Sequence, residues 1–274
     1  SKSYSDPVDT ISTNVNGTLN ILESIRNLKK KCVAVFITSD KCYDNVEWEW
    51  GYREIDALGG KDIYSGSKGA AELIIKSYFY SFLNDYNKNI KLSSARAGNV
   101  IGGGDWAKDR IVPDCIRSWT QDKPVEIRSP YSTRPWQHVL EPLSGYLSLG
   151  MSLYKNNNNG QSFNFGPDPS GKQTVEVLLK DLSKYWGYKE ANKGYKIKGK
   201  NSFQEAHLLK LNCDKALINL DWSPTLNYAE LIDMTGLWYK EFYSKNSDMY
   251  DYTLDQISKY EDIASEKGLS WVKN

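Results

Sequence analysis

The chain has 274 residues, 40% of them hydrophobic and 13% aromatic, which is enough to bury a core and excludes disorder for the bulk of it. Lysine and arginine number 35 against 34 acidic residues, for a net charge of +1. No global field therefore draws nucleic acid or an anionic membrane, and any anion must be held by a local site. The longest purely apolar run, Cys32 to Ile37, is far below the roughly 20 residues of a membrane-spanning helix. Cys32, Cys42, Cys115 and Cys213 are scattered, and with only His138 and His207 they offer neither a CxxC nor a zinc spacing. They read as a reducing, cytoplasmic chain without a structural metal.

From Ser12 to Arg26, Val15, Leu19, Leu22 and Ile25 recur at spacings of four, three and three, the stripe of an amphipathic helix. Val33 to Ile37 is a short β-branched and aromatic run ending in Thr38-Ser39-Asp40-Lys41, as expected of a parallel strand buried on both faces. Ala70, Ile74, Tyr78 and Phe82 repeat every four residues and predict a second long helix, and Ile90 to Ala97 reads as another strand. Helix, strand, helix, strand is the alternation of an α/β doubly wound parallel sheet.

Beyond Asn99 the texture changes to Gly102-Gly103-Gly104, several prolines and scattered helical segments, with one more strand-like stretch from Gln161 to Phe165. This predicts a second, irregular lobe interleaved with returns to the sheet. The four asparagines between Lys155 and Gly160 read as a solvated loop tip. Leu231, Met234, Leu237, Trp238 and Phe242 mark a late core helix, and the polar tail from Ser247 is expected to fray. The first residues carry neither a start methionine nor a leader.

Ligands of open α/β sheets bind outside the carboxyl ends of the strands, which gives weight to Ser39, Asp40 and Lys41; the bland alternative is the solvated start of a loop. Tyr64 and Lys68 lie four apart at the entry to the second helix, so phenol and ammonium share a face. A nearby cation favours phenolate and makes a usable general base. Two such pairs occur, the other being Tyr185 with Lys189, as many as chance supplies. Context favours Tyr64, which follows a strand-end serine and opens a helix between two strands. Gly102-x-Gly104-x-x-Ala107 fits the dinucleotide fingerprint but leads toward Pro113, and it reads as a glycine-rich loop at the cleft. Arg134-Pro-Trp-Gln-His138 pairs a guanidinium with an aromatic, suited to a diphosphate and a base or sugar face. Its bland reading is a surface arginine beside a core tryptophan, and Asn99 read alone is a turn residue.

Taken in order, Asn14-x-x-Gly17-Thr18, the strand ending in Ser39, Tyr64-x-x-x-Lys68, Arg96-x-x-Asn99-Val100-x-Gly102 and Arg134-Pro-Trp-x-His138-Val139 resemble the extended short-chain dehydrogenase/reductase family. Within it, Thr38-Ser-Asp-Lys-Cys-Tyr-Asp44, Arg110-Ile-Val-Pro-Asp114 and Glu205-Ala-His-Leu-Leu-Lys210 are similar to the nucleotide-sugar 4,6-dehydratases, which are lyases. Related enzymes carry glutamate after the aspartate; Lys41 in its place resembles the type acting on CDP-glucose in deoxysugar and lipopolysaccharide precursor synthesis.

The resemblance implies NAD as cofactor and CDP-glucose as substrate. It also implies an NAD-binding Rossmann domain in residues 1–104 plus 134–170, and a nucleotide-sugar lobe in residues 105–133 plus 171–274. In the family's mechanism Tyr64 would take the proton of the sugar 4-hydroxyl as C4 is oxidised. Lys68 would bind the nicotinamide ribose and tune Tyr64, and Ser39 would hydrogen-bond the reacting oxygen. Asp40 would help expel the C6 hydroxyl as water. A donor carboxyl must be protonated, which desolvation favours and a charged Lys41 pointing inward opposes; which of the two is acid and which base stays open. Asn99, Arg134 and Lys210 would contact the diphosphate or nucleotide, with Arg110 lining the same lobe. The helices Ser12–Arg26 and Lys68–Asn84 would pack against a second copy in a homodimer, or in a dimer of dimers.

The family begins with a strand and a Gly-x-x-Gly-x-x-Gly loop, and neither precedes Ser1. The expectation is that roughly 90 residues, about three βα units, are missing at the amino end, so that this chain alone binds NAD weakly and dissolves poorly. Two other readings compete: a nucleotide-sugar epimerase, which shares serine, tyrosine and lysine but does not need Asp40 and Lys41, and a silent remnant that only binds nucleotide sugar or a partner subunit.

Overall fold

The computed structural model describes residues 2–84, 88–127, 129–168, 173–188, 193–197 and 209–273. These form two compact units, each assembled from separate stretches of chain. The first takes Ser1–Gly98, Pro142–Gly166 and Leu209–Ser223; the second takes Asn99–Glu141, Pro167–Leu208 and Pro224–Asn274.

In the first unit, α1 (Lys2–Ser5) and α2 (Pro7–Ile11) lead through a π-helical turn, Ser12–Asn16, into α3 (Gly17–Arg26). Strand β1 (Cys32–Ile37) follows, then a 3-10 turn Asp40–Cys42, helix α4 (Ile63–Tyr78) extended by a π-helical turn Phe79–Leu83, and β2 (Ile90–Ala97). β6 (Ser162–Phe165) completes a parallel sheet of order β1-β2-β6, with Val35 opposite Ser93 and Ala95 opposite Phe163.

Side chains alternate across a strand, so Cys32, Ala34 and Phe36 turn to one face. There they meet a core of Leu22, Ile75, Phe79, Leu83, Ile90 and Leu92 drawn from α3, α4 and β2. Val33 and Val35 turn to the other face and line an open groove with Tyr146, Gly150 and Tyr154 of α6 (Leu140–Tyr154). Helices on both faces of a parallel sheet are the doubly wound α/β arrangement that the alternation predicts. The unit closes with α8 (Asp214–Leu220), after which Trp222 packs edge-on to Phe165 and donates to Ser144 Oγ at 3.0 Å.

Two local expectations change, and α4 adds a face that its sequence repeat does not mark. β1 is half-buried rather than enclosed, and Ile37 is exposed; it is one of the two edge strands of the order β1-β2-β6, and α6 only partly covers its second face. The buried face of α4 carries Ala71, Ile75, Phe79 and Leu83, one residue on from the Ala70–Phe82 stripe. That stripe faces α3 instead, where the Tyr78 hydroxyl donates to Glu23 at 2.6 Å and the Arg26 guanidinium lies 4.7 Å from the Phe82 ring centre. The asparagine run is tied to the sheet: Asn159 Oδ1 accepts from Leu92 N–H at 2.9 Å, and the Asn158 carbonyl accepts from Ser93 Oγ at 2.7 Å. Asn156 and Asn158 hold the left-handed conformation that asparagine tolerates.

In the second unit β3 (Val100–Ile101) pairs in parallel with β5 (Gln137–His138), and β4 (Val125–Ile127) with β7 (Tyr195–Ile197). Around them α5 (Ile111–Trp119), α7 (Val175–Ser183) and α9 (Tyr228–Ser244) bury Ile116, Trp119, Leu178, Leu182, Leu231 and Tyr239. The tail from Ser247 does not fray. Asp248 caps the first turn of α10 (Met249–Glu266), and Tyr260 is buried, donating to Glu141 at 3.0 Å. No helix of the described residues is long and apolar enough to cross a membrane.

Candidate functional site

β1 ends at Ile37, and the chain turns sharply through Ser39–Asp40–Lys41–Cys42 at its carboxyl end. Ser39 caps that turn: its Oγ accepts from the Lys41 N–H at 3.2 Å while its hydroxyl donates to Asp40 Oδ1 at 2.9 Å. Asp40 is only 3% exposed, and the Lys41 ammonium, on the outer side of the turn, lies 3.9 Å from its other oxygen. A hydroxyl proton can be redirected by rotation about the C–O bond alone, which leaves Ser39 able to serve an incoming oxygen without moving its side chain.

Helix α4 supplies the second half. Asp62 caps it by accepting from the Tyr64 and Ser65 N–H groups, which puts Tyr64 in the first turn, 39% exposed, with Lys68 one turn later. The Lys68 ammonium lies 5.8 Å from the Tyr64 ring centre. Burial holds Lys68 below its ordinary range, opposed by the neighbouring Cys42. Burial pushes the Cys42 thiol up to about 12, with Arg96 opposing and Glu72 and Asp40 adding; it stays a neutral packing group. Helix and turn meet at Gly69, where a Cβ would lie 3.2 Å from the Cys42 and Gly59 carbonyl oxygens.

A second glycine at this site makes room in a way that the sequence alone does not disclose. A Cβ on Gly98, at the carboxyl end of β2, would fall 2.1 Å from Asp40 Oδ2, so the absence of a side chain there is what lets the carboxylate lie against the backbone. Gly98→Ala is expected to cost about 1–3 kcal/mol through overpacking and to displace Asp40. A urea midpoint equal to that of the unsubstituted protein would show that the carboxylate has room to swing.

The rival pair does not fit the same role. The Tyr185 hydroxyl donates to Asp233, its ring packs on Gly236, and burial together with that carboxylate drives its phenol up, away from phenolate. Lys189 lies outside the described residues. The Gly102–Gly104 run follows β3, but no helix opens until Ile111. A Cβ on Gly103 would sit 2.1 Å from the Trp238 ring, so packing, not a phosphate, accounts for that glycine.

Of the expected substrate contacts, Lys210 belongs to the first unit, where its carbonyl accepts from the Tyr52 N–H at 2.9 Å. Glu205–Leu208, with His207, lie outside the described residues. Asn99, Arg110 and Arg134 belong to the second unit. Asn99 sits in the left-handed conformation, and its carbonyl accepts from the Gln137 N–H at 3.2 Å, which brings it to the segment that carries Arg134 and Trp136. Asn99 Nδ2 and Trp136 Nε1 are buried donors with no hydrogen-bond partner among the described residues. Such groups cost free energy unless a ligand or water completes them. Arg110 is largely exposed and lies 3.6 Å from Asp105.

The model of a family described as GDP-mannose 4,6 dehydratase matches residues 1–235. The chain belongs to that family. Within reach of it, the chain is 45% identical over 262 residues to CDP-glucose 4,6-dehydratase of Salmonella typhimurium, covering 94% of this chain and 72% of that protein. Solved structures share the fold of the family. UDP-glucuronic acid 4-epimerase from Bacillus cereus, in complex with UDP-glucuronic acid and NAD, superposes with a TM-score of 0.72 at 19% identity, over 85% of this chain and 69% of that one. dTDP-glucose 4,6-dehydratase from Bacillus anthracis, in complex with NAD, gives 0.68 at 19% identity, over 84% and 68%.

Proposed function

We propose that the protein is a lyase that dehydrates CDP-glucose to the 4-keto-6-deoxy sugar nucleotide with NAD as a recycled cofactor. The observation that carries this reading is the packing of the Tyr64–Lys68 helix against the Ser39–Asp40–Lys41 turn at the carboxyl end of a parallel strand, in a chain 45% identical to a CDP-glucose 4,6-dehydratase.

Lys68 is half-buried and has no ion-pair partner among the described residues, which fits an ammonium that holds the ribose hydroxyls of a nicotinamide nucleotide. NAD, if bound there, would take up the hydride of C4 and return it to C6 once the C6 hydroxyl has left as water, so that C4 stays a ketone and the cofactor is recycled. Tyr64, with the Lys68 ammonium 5.8 Å from its ring centre, accepts the proton of the 4-hydroxyl. Ser39 donates a hydrogen bond to the same oxygen. Once C4 is a ketone, the C5 proton is acidic, and Asp40 and Lys41 divide the remaining work of removing it and of protonating the leaving C6 oxygen. Asn99, Trp136 and Arg134 suit a diphosphate, since all three present N–H donors and none presents a negative charge.

Asp40 and Lys41 are what favour dehydration over epimerisation, because epimerisation at C4 loses no water. In the NAD-loaded holoenzyme, Asp40→Asn and Lys41→Ala are expected to keep the rise of the reduced-nicotinamide band on rapid mixing with CDP-glucose, while releasing little 4-keto-6-deoxy product. Normal product formation by both variants would show that Asp40 and Lys41 do not carry the loss of water, and a wild-type holoenzyme that returns the C4 epimer of CDP-glucose with no 4-keto-6-deoxy product would be an epimerase. Exposed apolar residues on the outer helices, Val8, Ile11, Ile21, Leu73 and Tyr80, support a homodimer built on α2, α3 and α4. The free cysteines suit a reducing compartment such as the cytoplasm, where a product of this kind would enter deoxysugar and lipopolysaccharide assembly.

A further inference from the structure

Tyr64, Lys68 and Glu72 follow one another at intervals of four on α4 and share one face of the helix. The first two head toward the proposed site. Glu72 ends in the interior, 3% exposed, with both carboxylate oxygens engaged. Oε1 accepts from the Thr38 hydroxyl at 2.5 Å; Oε2 accepts from Ser94 Oγ at 2.7 Å and from the Arg96 guanidinium at 2.7 Å. Burial alone would raise the Glu72 carboxyl, but the Arg96 hydrogen bond and charge, with Thr38 and Ser94, outweigh it and hold the group below its usual range.

Arg96, on β2 and itself buried, continues the chain of contacts. Its other terminal nitrogen donates to the Tyr43 hydroxyl at 2.8 Å and to the Glu54 carbonyl at 3.2 Å. Tyr43 in turn donates to Asn164 Oδ1 on β6 at 2.8 Å. The network therefore grips the chain at Thr38, immediately before Ser39, and at Tyr43, immediately after the 3-10 turn.

A buried ion pair is a poor stabiliser, because the desolvation of two charges offsets most of their attraction, and well-packed apolar residues of similar volume often do as well or better. What a pair held by several short hydrogen bonds supplies is a fixed geometry. We propose that Glu72 and Arg96 are positioning residues, whose buried pair locks the Ser39–Asp40–Lys41 turn in register with the helix face that bears Tyr64 and Lys68. The inference rests on the reading of Ser39, Tyr64 and Lys68 as the reacting residues. Glu72 is the joint: it belongs to the helix, it holds the turn through one hydroxyl, and its second oxygen fixes it to β2.

The least disruptive test removes only that hydroxyl. Thr38→Val keeps the shape of the side chain and leaves the Glu72–Arg96 pair in place, whereas Thr38→Ser keeps the hydroxyl and loses a methyl. In the NAD-loaded holoenzyme with CDP-glucose, Thr38→Val is expected to lower kcat about tenfold and Glu72→Gln up to about a hundredfold, the scale of an ångström-sized misplacement of reacting groups. KM should change by less than about twofold, since no substrate contact is removed. Thr38→Ser should restore the rate. A purely structural role would instead lower the thermal midpoint and leave the kcat of the folded fraction intact.

Normal kcat in Thr38→Val, or a Thr38→Ser as slow as Thr38→Val, would overturn the proposal. If Glu72→Gln does not fold, the threonine pair decides. A wild-type holoenzyme that leaves CDP-glucose unchanged would refute the reading of the reaction itself. Crystal structures then judge the positioning separately: a shift of residues 39–42 against the first turns of α4 in Thr38→Val supports it, and superposition of the two overturns it.

Discussion

Tyr64→Phe is expected to lower turnover of CDP-glucose by about 10²- to 10⁴-fold, the range that a positioned acid or base contributes, while binding of the sugar nucleotide persists. The substitution deletes one oxygen from a residue that is 39% exposed and carries no core packing, so folding should be unaffected and the loss should fall on oxidation at C4. Stopped-flow absorbance of the nicotinamide, together with calorimetric titration of CDP-glucose, separates the two. The control is Tyr185→Phe, whose hydroxyl is committed to Asp233. Near-normal turnover in Tyr64→Phe with loss in Tyr185→Phe would mean that the other tyrosine is the base.

Acid should weaken the second unit through one imidazole. His138, on β5, is buried, with Nδ1 accepting from the Leu140 N–H at 3.3 Å and Nε2 without a partner among the described residues. Burial pushes it down to about 4 from an ordinary value of 6.5. Between those two pH values the unfolded chain binds a proton that the folded chain refuses, so the unfolded form is favoured as pH falls. The contribution is ~3 kcal/mol of stability, present above pH 6.5 and lost by pH 4. His138→Gln should flatten the difference in urea midpoint between pH 7 and pH 4.5 relative to wild type; parallel curves for the two proteins would show that His138 is not responsible.

Much of the framework was legible because period is a local property. β2 occupies Ile90–Ala97 as its residues predict, and β1 begins one residue earlier than the Val33–Ile37 run. The repeat of four at Ala70–Phe82 finds the helix but not the face that enters the sheet core, because two adjacent faces of that helix are apolar, one for the sheet and one for α3. The helix also relaxes into a π turn at Phe79, beyond which a repeat of four no longer tracks a single face.

The reacting groups were legible by type and spacing, since Ser39, Tyr64 and Lys68 each follow a recognisable structural boundary. Their supports were not. Glu72 could have been suspected from its place eight residues after Tyr64, amid alanine and isoleucine. Its partners Thr38, Ser94 and Arg96 come from elsewhere in the chain, and only the folded register of β1 and β2 brings them to it. Gly98 is invisible in the same sense: nothing local says that its missing side chain makes room for a carboxylate 58 residues earlier.

The interleaving of the two units has a consequence for biosynthesis. The sheet unit needs Leu209–Ser223, because Leu211 joins the core with Tyr43 and Tyr52, and Trp222 seals Phe165. The second unit, opened at Asn99, needs residues as late as Tyr260 to satisfy Glu141. At about 5–20 residues per second of synthesis, the emerging chain passes many seconds with both cores open, and every parallel strand pair in the sheet waits for a long crossover to be completed. The sheet unit can therefore close only once Ser223 has been made and the second unit only after Tyr260, so both cores of the nascent chain stay open to premature contacts until late in synthesis.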